Sequence, residues 1–242
     1  RIFENPSLYS GLENLLGIYG YAMQIYCDFS GYSDMAIGIA LLLGFHFPMN
    51  FNAPYSSVSI TDFWRRWHIS LSTWIRDYIY ISFGGNRKGK VRQYVNLIIT
   101  MLLGGLWHGA SLNFVAWGGA HGLALAVHKF FRQEVLHHGR SFQSHGLRKW
   151  IAIVLTFHFV CFTWIFFRQK TFTAGWTMLR QIFFNFHAEL WQQVCAGYQY
   201  VLAFMAFGYL THFLPDAWQE GIIAQLRRCN VVVYALLLTA AI

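Results

Sequence analysis

Charged residues are scarce in this sequence. Only 12% of its 242 residues are Asp, Glu, Lys or Arg, about half the share found in soluble domains. Hydrophobic residues account for 56% and aromatic residues for 19%, and the mean hydropathy is +0.36. This composition argues against a soluble domain and predicts a membrane protein.

The sequence also lacks features that would divide or cross-link it. It has no Pro- or Ser-rich linker and no internal repeat, which predicts a single transmembrane helical domain over residues 1–242. The chain begins at Arg1 rather than Met and has no signal peptide, so we expect it to be the C-terminal portion of a longer polytopic protein. No CxxC or zinc-ligand spacing is present, which predicts free buried thiols at Cys27, Cys161, Cys195 and Cys229.

Acidic residues are the rarer of the two charge signs. The 10 Asp and Glu stand against 18 Lys and Arg, which gives a net charge of +8. The basic residues cluster between apolar stretches, where they suit loops that face the cytoplasm and anionic lipid. The aromatic residues lie inside the apolar stretches instead of beside the basic clusters, so the pattern does not predict nucleic-acid binding.

Six stretches are candidate membrane-spanning helices, which need about 20 mostly apolar residues. They cover residues 15–43, 94–107, 112–131, 150–167, 198–214 and 231 to the end. The second is short for a full span, so we expect it to be tilted or to end inside the protein. With the third it is predicted to form a helical hairpin through residues 108–111. Residues 171–196 mix polar and aromatic side chains, which predicts an interfacial helix.

Two neighbouring segments do not suit contact with lipid. Residues 44–59 contain two prolines and two asparagines, among them Asn50, and predict an irregular loop. Irregular backbone at membrane depth must be buried in protein or line a water-filled cavity. Ser59 and Asp62 are spaced as a capping box, which predicts a helix over residues 60–81 that ends before the glycines at 84 and 85.

That predicted helix carries cationic and hydroxyl side chains on one face, because they follow i+3/i+4 spacing: Thr61, Arg65, His68, Ser72 and Arg76. Such a stripe suits an anionic or polar ligand, such as a phosphopantetheine group or an acyl oxyanion. The alternative is an interfacial helix whose arginines reach lipid phosphates while its tryptophans lie in the aromatic belt. The pattern leaves both interpretations open.

His108 is a titratable residue at the end of an apolar stretch, and such a residue in a membrane indicates a functional site. An imidazole there suits a general base, because its reference pKa of about 6.5 lies near working pH. The alternative is a packed histidine, with Gly104, Gly105 and Gly109 serving close helix crossing. Asn113 suits either a partner of His108 or a cap of the next helix.

Three other polar residues in apolar segments have mainly structural interpretations. His121 lies within Gly118-x-x-x-Gly122, a small-residue packing face, and is predicted to hydrogen-bond across it. Asp28 and Asp34 lie in the first apolar helix, where acids must face the interior and pair. We therefore predict an ion pair with an arginine of the 60–81 helix. The histidines show no HxxxH or HxxHH cluster, so no metal site is predicted.

Five stretches together resemble the membrane-bound O-acyltransferase (MBOAT) family, in particular the bacterial branch of alginate O-acetyltransferases and their relatives that transfer D-alanyl groups in teichoic acid synthesis. The stretches are residues 24–51 (QIYCDFSGYSDMAIGIALLLGFHFPMNF), 52–55 (NAPY), 60–80 (ITDFWRRWHISLSTWIRDYIY), 84–86 (GGN) and 101–122 (MLLGGLWHGASLNFVAWGGAHG). They follow in matching order along residues 20–130, which are the predicted catalytic core.

The resemblance implies an all-α polytopic membrane protein, with a multi-helix bundle around a tunnel that donor and acceptor enter from opposite sides. It implies that His108 is the family's invariant histidine, the catalytic base, and that His68 is its second signature position. On this interpretation the side chains that bind the donor are Arg65, Arg66, Ser72, Arg76 and Asn113, while Asp28, Asp34 and His121 support the site.

The resemblance also implies acetyl transfer from a cytoplasmic thioester, either acetyl-CoA or an acyl carrier, with no tightly bound cofactor. The acceptor would be an extracytoplasmic polysaccharide such as alginate, reached with the help of a periplasmic acyltransferase partner. D-alanyl or other acyl transfer to a cell-wall polymer is the alternative. The implied location is the bacterial inner membrane, with multiple passes through the lipid bilayer.

Two classes without acyl chemistry compete with this interpretation. A transporter or channel would line its path with the same arginines and histidines. A scaffold would dock an acyltransferase and tolerate replacement of His68 and His108. Acyl consumption by the purified full-length protein separates the enzyme from both.

Overall fold

The computed structural model describes residues 1–136 and 146–214, together with isolated positions between 217 and 228. Within these residues the chain forms nine α-helices and no strand, which confirms the all-α prediction. The helices are α1 Gly11–Leu42, α2 Ile60–Arg66, α3 Ile69–Trp74, α4 Lys90–His108, α5 Leu112–Phe130, α6 Leu147–Arg168, α7 Phe172–Phe184, α8 Trp191–Gly197 and α9 Gln199–His212. π-helical turns extend α3 over Ile75–Tyr80 and α5 over Phe131–Val135.

The long first helix begins at a capping box. The Ser10 hydroxyl accepts from the Glu13 backbone N–H at 3.2 Å, and the Glu13 carboxylate accepts from the Ser10 N–H at 2.9 Å. These two bonds satisfy helix N-terminal donors that would otherwise lack partners. The predicted helix over residues 15–43 is therefore present, but it starts four residues earlier, at Gly11.

Helices α4 and α5 form the predicted hairpin, and glycines allow them to approach closely. A Cβ at Gly118 would overlap the Met101 carbonyl oxygen, and one at Gly122 would lie 2.8 Å from the Ile98 Cα. Gly105 opposes Gly118 from α4. The predicted packing face is confirmed, and Gly105, three residues before His108, serves close helix crossing, as the structural alternative for these glycines has it.

The continuous helix predicted over residues 60–81 is wrong. Helix α2 ends at Arg66 and α3 begins at Ile69, because His68 has a left-handed backbone with φ 45° and ψ 57°. The preceding loop takes over the hydrogen bonds at the break. The Asn52 N–H donates to the Arg66 carbonyl at 3.0 Å, and the Ile69 N–H donates to the Asn50 carbonyl at 2.9 Å. Because α2 and α3 are separate helices, the predicted common face of a single helix is wrong too. That face was predicted to hold Thr61, Arg65, His68, Ser72 and Arg76.

The other predicted segments fare differently. Helices α5, α6 and α9 match the apolar stretches, whereas residues 171–196 hold two helices, α7 and α8, instead of one. Among the described residues, α6 alone is a single helix long and apolar enough to cross a membrane. The helical segment 188–197 and α9 would together be long and apolar enough to cross a membrane, but their axes are bent by 93°. The stretch from residue 231 lies outside the described residues.

The core joins α1, α2, α5 and α6 through aromatic side chains. Trp164 of α6 stacks on Trp117 of α5 at 5.9 Å between ring centroids and packs against Trp67 at 5.1 Å. The buried Tyr55 donates its hydroxyl to the Ala22 carbonyl of α1. Of the predicted buried thiols only Cys161 is buried, since Cys27 is exposed and Cys195 is half-buried; all three are free, and Cys229 lies outside the described residues.

Candidate active site

His68 lies at the break between α2 and α3, where local and tertiary contacts hold it in an uncommon conformation. Its left-handed backbone is costly for a non-glycine residue, although histidine tolerates this region better than most. The Ser72 N–H donates to the His68 carbonyl at 2.9 Å and so starts α3. The edge of Phe29, from α1, meets the imidazole with 4.6 Å between ring centroids.

Asn50 connects the loop before α2 to the imidazole of His68. Its side-chain oxygen lies 3.2 Å from His68 Nδ1, and it accepts from the Ser70 N–H at 3.2 Å and from the Ser70 hydroxyl at 3.0 Å. Its amide nitrogen donates to the Ser33 hydroxyl of α1 at 3.1 Å. One side chain therefore joins the loop, α1 and the start of α3 around His68.

His108 is the last residue of α4, and aromatic rings surround it. Trp107 and Phe167 lie 4.9 Å from its ring centroid, Trp117 lies 5.4 Å away and Phe114 lies 6.1 Å away. Within the described part of the chain neither ring nitrogen has a hydrogen-bond partner. His108 is half-buried, so its nitrogens are available to an incoming group.

The surroundings of His68 disfavour the protonated form of its imidazole. Burial, and the positive charge that a protonated His108 would carry, lower the pKa of His68 from 6.5 to about 4. At neutral pH the His68 imidazole is therefore uncharged and retains a lone pair. The joint role of His68 and His108 that the family resemblance implies stays a prediction.

The predicted arginines do not form one open stripe. The Arg66 guanidinium binds the Asp62 carboxylate at 3.1 Å, and Arg76 binds the neighbouring Asp77 at 2.7 Å. Arg65 is exposed. The Ser72 hydroxyl donates to the Trp67 carbonyl at 3.1 Å, which satisfies a backbone acceptor at the break. The roles of these four residues toward a donor stay predictions.

The predicted interior ion pairs of Asp28 and Asp34 are wrong. Both side chains are exposed on α1, and neither pairs with an arginine within the described ranges. The physical reason is proximity: Arg66 and Arg76 find carboxylates on their own segment, four residues and one residue away. The two α1 acids therefore do not fix the register of the α2–α3 segment.

His121 and Asn113 tie α5 to its neighbours. The fully buried His121 accepts from Trp64 Nε1 at 3.3 Å through Nδ1, and its Nε2 lies 2.9 Å from the Thr163 hydroxyl of α6. The predicted structural role of His121 in helix packing is confirmed, but its hydrogen bonds join α5 to α2 and α6 and do not cross the Gly118/Gly122 face that packs on α4. Asn113 is neither a partner of His108 nor a helix cap, because its amide donates to the Gln169 carbonyl at the end of α6.

Sequence analysis did not assign the residues that surround the two histidines. Asn50 lay in the segment recognised as unsuited to lipid, so its location was a usable signal. No comparable sequence signal marked Ser70, Phe29 or Phe167. A serine near a histidine and single phenylalanines in apolar runs are common. Among the described residues no three His, Cys, Asp or Glu side chains lie together as metal ligands would.

A helical, apolar chain in which His68 and His108 each pack against aromatic rings defines a membrane-type protein with a histidine-centred candidate site. The family model described as MBOAT, membrane-bound O-acyltransferase family, matches residues 15–162, which include His68, His108 and Asn50. The chain belongs to the membrane-bound O-acyltransferase family.

Curated relatives give the same result. A probable alginate O-acetylase of Pseudomonas aeruginosa is 50% identical over 168 residues, covering 69% of this chain and 31% of that protein. A probable alginate O-acetylase of Pseudomonas syringae pv. tomato is 46% identical over 210 residues, covering 85% of this chain and 39% of that protein. A peptidoglycan O-acetyltransferase of Helicobacter pylori is 42% identical over 178 residues, covering 74% and 33%. The chain thus spans about a third of the length of these relatives.

Proposed function

We propose that this chain forms part of a membrane O-acetyltransferase that moves acetyl groups from a thioester donor toward hydroxyls of an extracytoplasmic polysaccharide such as alginate. The observation that carries the proposal is the half-buried His108 imidazole among aromatic rings, together with His68 held by Asn50, both inside the segment matched by the family model. The similarity to two alginate O-acetylases supports the acetyl group and the type of acceptor.

In the proposed mechanism His108 is the general base. It accepts the proton of the acceptor hydroxyl while that oxygen attacks the thioester carbonyl, and the resulting imidazolium returns the proton to the departing thiolate. The aromatic rings packed against His108 limit the access of water to it, which favours transfer of the acyl group to the hydroxyl over hydrolysis. His68 either orients the hydroxyl, stabilises the oxyanion or positions the thioester.

The donor, location and partner belong to the same proposal. Acetyl-CoA or an acyl carrier thioester serves as donor substrate, without a tightly bound cofactor. The protein crosses the bacterial inner membrane several times, which the apolar helix α6 supports, and a periplasmic acyltransferase completes delivery to the polymer. A cell-wall polymer is the alternative acceptor, favoured by the similarity to the Helicobacter pylori peptidoglycan O-acetyltransferase.

The test is polymer acetylation in cells that express the full-length protein. We expect His108→Ala to lower acetylation by about 10²–10⁴-fold, the usual loss when a positioned general base is removed. The measurement is mass analysis of the cell-surface polysaccharide, with membrane insertion checked in parallel. His187→Ala is the matched control, because His187 is also a histidine, is exposed, and pairs with Glu189 at 2.7 Å. Unchanged acetylation by the His108 variant would refute the assignment.

A second measurement addresses the competing classes. Purified full-length protein is supplied with the thioester, and release of free thiol is followed together with solute flux. The proposed enzyme consumes the thioester in the presence of acceptor. Flux without consumption would indicate a transporter, and neither activity combined with full tolerance of the His68→Ala change would indicate a scaffold.

A further inference from the structure

We propose that Asn50 is a positioning residue that holds His68 in the tautomer protonated on Nδ1, so that Nε2 is a hydrogen-bond acceptor for the substrate hydroxyl. The tautomer follows from the hydrogen-bond geometry alone. The role of Nε2 in the reaction rests on the proposed acyl transfer.

The first step is the orientation of the Asn50 amide. The backbone N–H of Ser70 is a donor that cannot change its role, and it points at the Asn50 side chain from 3.2 Å. Only the carbonyl oxygen of the amide can accept from it. The opposite orientation would place two donors against each other, so Oδ1 faces Ser70 and Nδ2 faces the Ser33 hydroxyl of α1, 3.1 Å away.

The second step assigns the proton on His68. Its Nδ1 lies 3.2 Å from the same Asn50 oxygen, which has only lone pairs to offer. A hydrogen bond between them requires that Nδ1 carries the proton. The Ser70 hydroxyl lies 3.4 Å from Nδ1. It is compatible with this assignment because it donates its proton to Asn50 Oδ1 at 3.0 Å and so does not donate to Nδ1. In a neutral histidine the other nitrogen, Nε2, then holds a lone pair.

The third step concerns the freedom of the ring. Phe29 packs edge-on against the imidazole with an interplanar angle of 83°, and the left-handed backbone of His68 fixes the origin of the side chain. A 180° flip would break the bond to Asn50. Within the described residues Nε2 has no protein partner, and the side chain is only half-buried. The lone pair is therefore held in place and accessible.

This assignment separates the three roles left open for His68. A neutral imidazole without a proton on Nε2 cannot donate to an oxyanion or to the thioester carbonyl. It can accept a hydrogen bond from a hydroxyl. The structure thus favours His68 as the group that orients the acceptor hydroxyl, while His108 removes its proton.

The tautomer is measured directly by NMR on the full-length protein in lipid nanodiscs with ¹⁵N-labelled histidine. At a pH at least one unit above the reference value of about 6.5, two-bond ¹H–¹⁵N correlations distinguish protonated from unprotonated ring nitrogens. His68 signals are assigned by their loss in His68→Gln. We expect protonated Nδ1 and unprotonated Nε2 in the wild type and in Asn50→Asp, which keeps an acceptor oxygen. In Asn50→Leu we expect the proton to shift toward Nε2.

Acyl-transfer kinetics are measured on the same variants. Asn50→Leu should lower kcat by about tenfold, the equivalent of one hydrogen bond, and Asn50→Asp should restore most of it. Asn52→Leu is the matched control on the same loop, because its side chain is exposed and its loop contacts use backbone atoms. A proton on Nε2 in the wild type, or unaltered signals in Asn50→Leu, would overturn the inference. Wild-type protein without acyl turnover would contradict the proposed function and leave the tautomer result standing.

Discussion

Adding one methyl group at Gly118 tests whether the crossing of α4 and α5 is as close as the structure has it. The new Cβ would overlap the Met101 carbonyl oxygen and lie 3.1 Å from its carbonyl carbon and 3.3 Å from the Gly105 Cα. All three are backbone atoms, so no side chain can rotate away, and α4 itself would have to move. Because α4 ends at His108, the same displacement would shift the proposed catalytic base.

Gly119 is the matched control, one residue further along the same helix. A Cβ there would meet only the tip of Leu102, at 3.4 Å, which is ordinary contact. Both Gly→Ala changes gain about 1 kcal/mol of helix propensity, so this contribution cancels in the comparison. What remains is the steric cost at Gly118, about 1–3 kcal/mol for overpacking. Gly119→Ala should therefore be neutral or stabilising. Gly118→Ala should be less stable than Gly119→Ala by about 1–3 kcal/mol.

Thermal unfolding of the purified protein, followed by tryptophan fluorescence, measures the difference. For a chain of this size about 1 kcal/mol corresponds to ~2–4 °C in Tm. Equal melting temperatures for the two variants would refute the close crossing. Acyl transfer measured below both transitions should also fall in Gly118→Ala and not in Gly119→Ala.

Two further predictions concern His68. His68→Gly should be more stable than His68→Ala by about 1 kcal/mol, because glycine adopts the left-handed conformation without the Cβ penalty; equal melting temperatures would show that the backbone is not left-handed there. The lowered pKa of His68, about 4 against 6.5 in the unfolded chain, means that the folded state binds fewer protons over this interval. Its contribution to stability is therefore complete above pH ~6.5 and is lost as the pH falls toward 4. Melting curves across this range should show the slope, and His68→Gln should reduce it.

The helical hairpin and the position of His108 at its turn were predictable because their signals are local. Apolar runs of sufficient length, glycines at four-residue spacing and a histidine at the end of a run are all readable in the order of residues. The packing of Gly118 and Gly122 and the structural hydrogen bonds of His121 followed from these patterns.

The break at His68 was not predictable from local signals. The segment Trp-His-Ile-Ser contains no glycine or proline, and its i+3/i+4 pattern favours a continuous helix. What interrupts the helix is tertiary: the loop over residues 50–52 supplies a donor to the Arg66 carbonyl and an acceptor to the Ile69 N–H. A pattern within one segment cannot show bonds supplied by another.

The exposed acids of α1 were mispredicted for a related reason. The rule that intramembrane acids pair within the protein does not say which basic residue is the partner. Asp62 and Asp77 lie closer in sequence to Arg66 and Arg76 and bind them. Arg66 and Arg76 bind the carboxylates that are nearest to them in the sequence, and this short separation is visible in the sequence itself.

Both imidazoles of the candidate site lie at ends of helices, and this location has a chemical consequence. Inside a helix the backbone N–H and C=O groups bond to one another, so a histidine there finds its partners among side chains, as His121 does with Trp64 and Thr163. At the break, Asn50 of the preceding loop stabilises the segment around His68. Its side-chain oxygen accepts three hydrogen bonds, two from Ser70 and one from His68. Irregular backbone within a membrane persists only where protein groups satisfy it. Asn50 is therefore part of the site, because its backbone carbonyl helps to interrupt the helix while its side-chain oxygen sets the proton on His68.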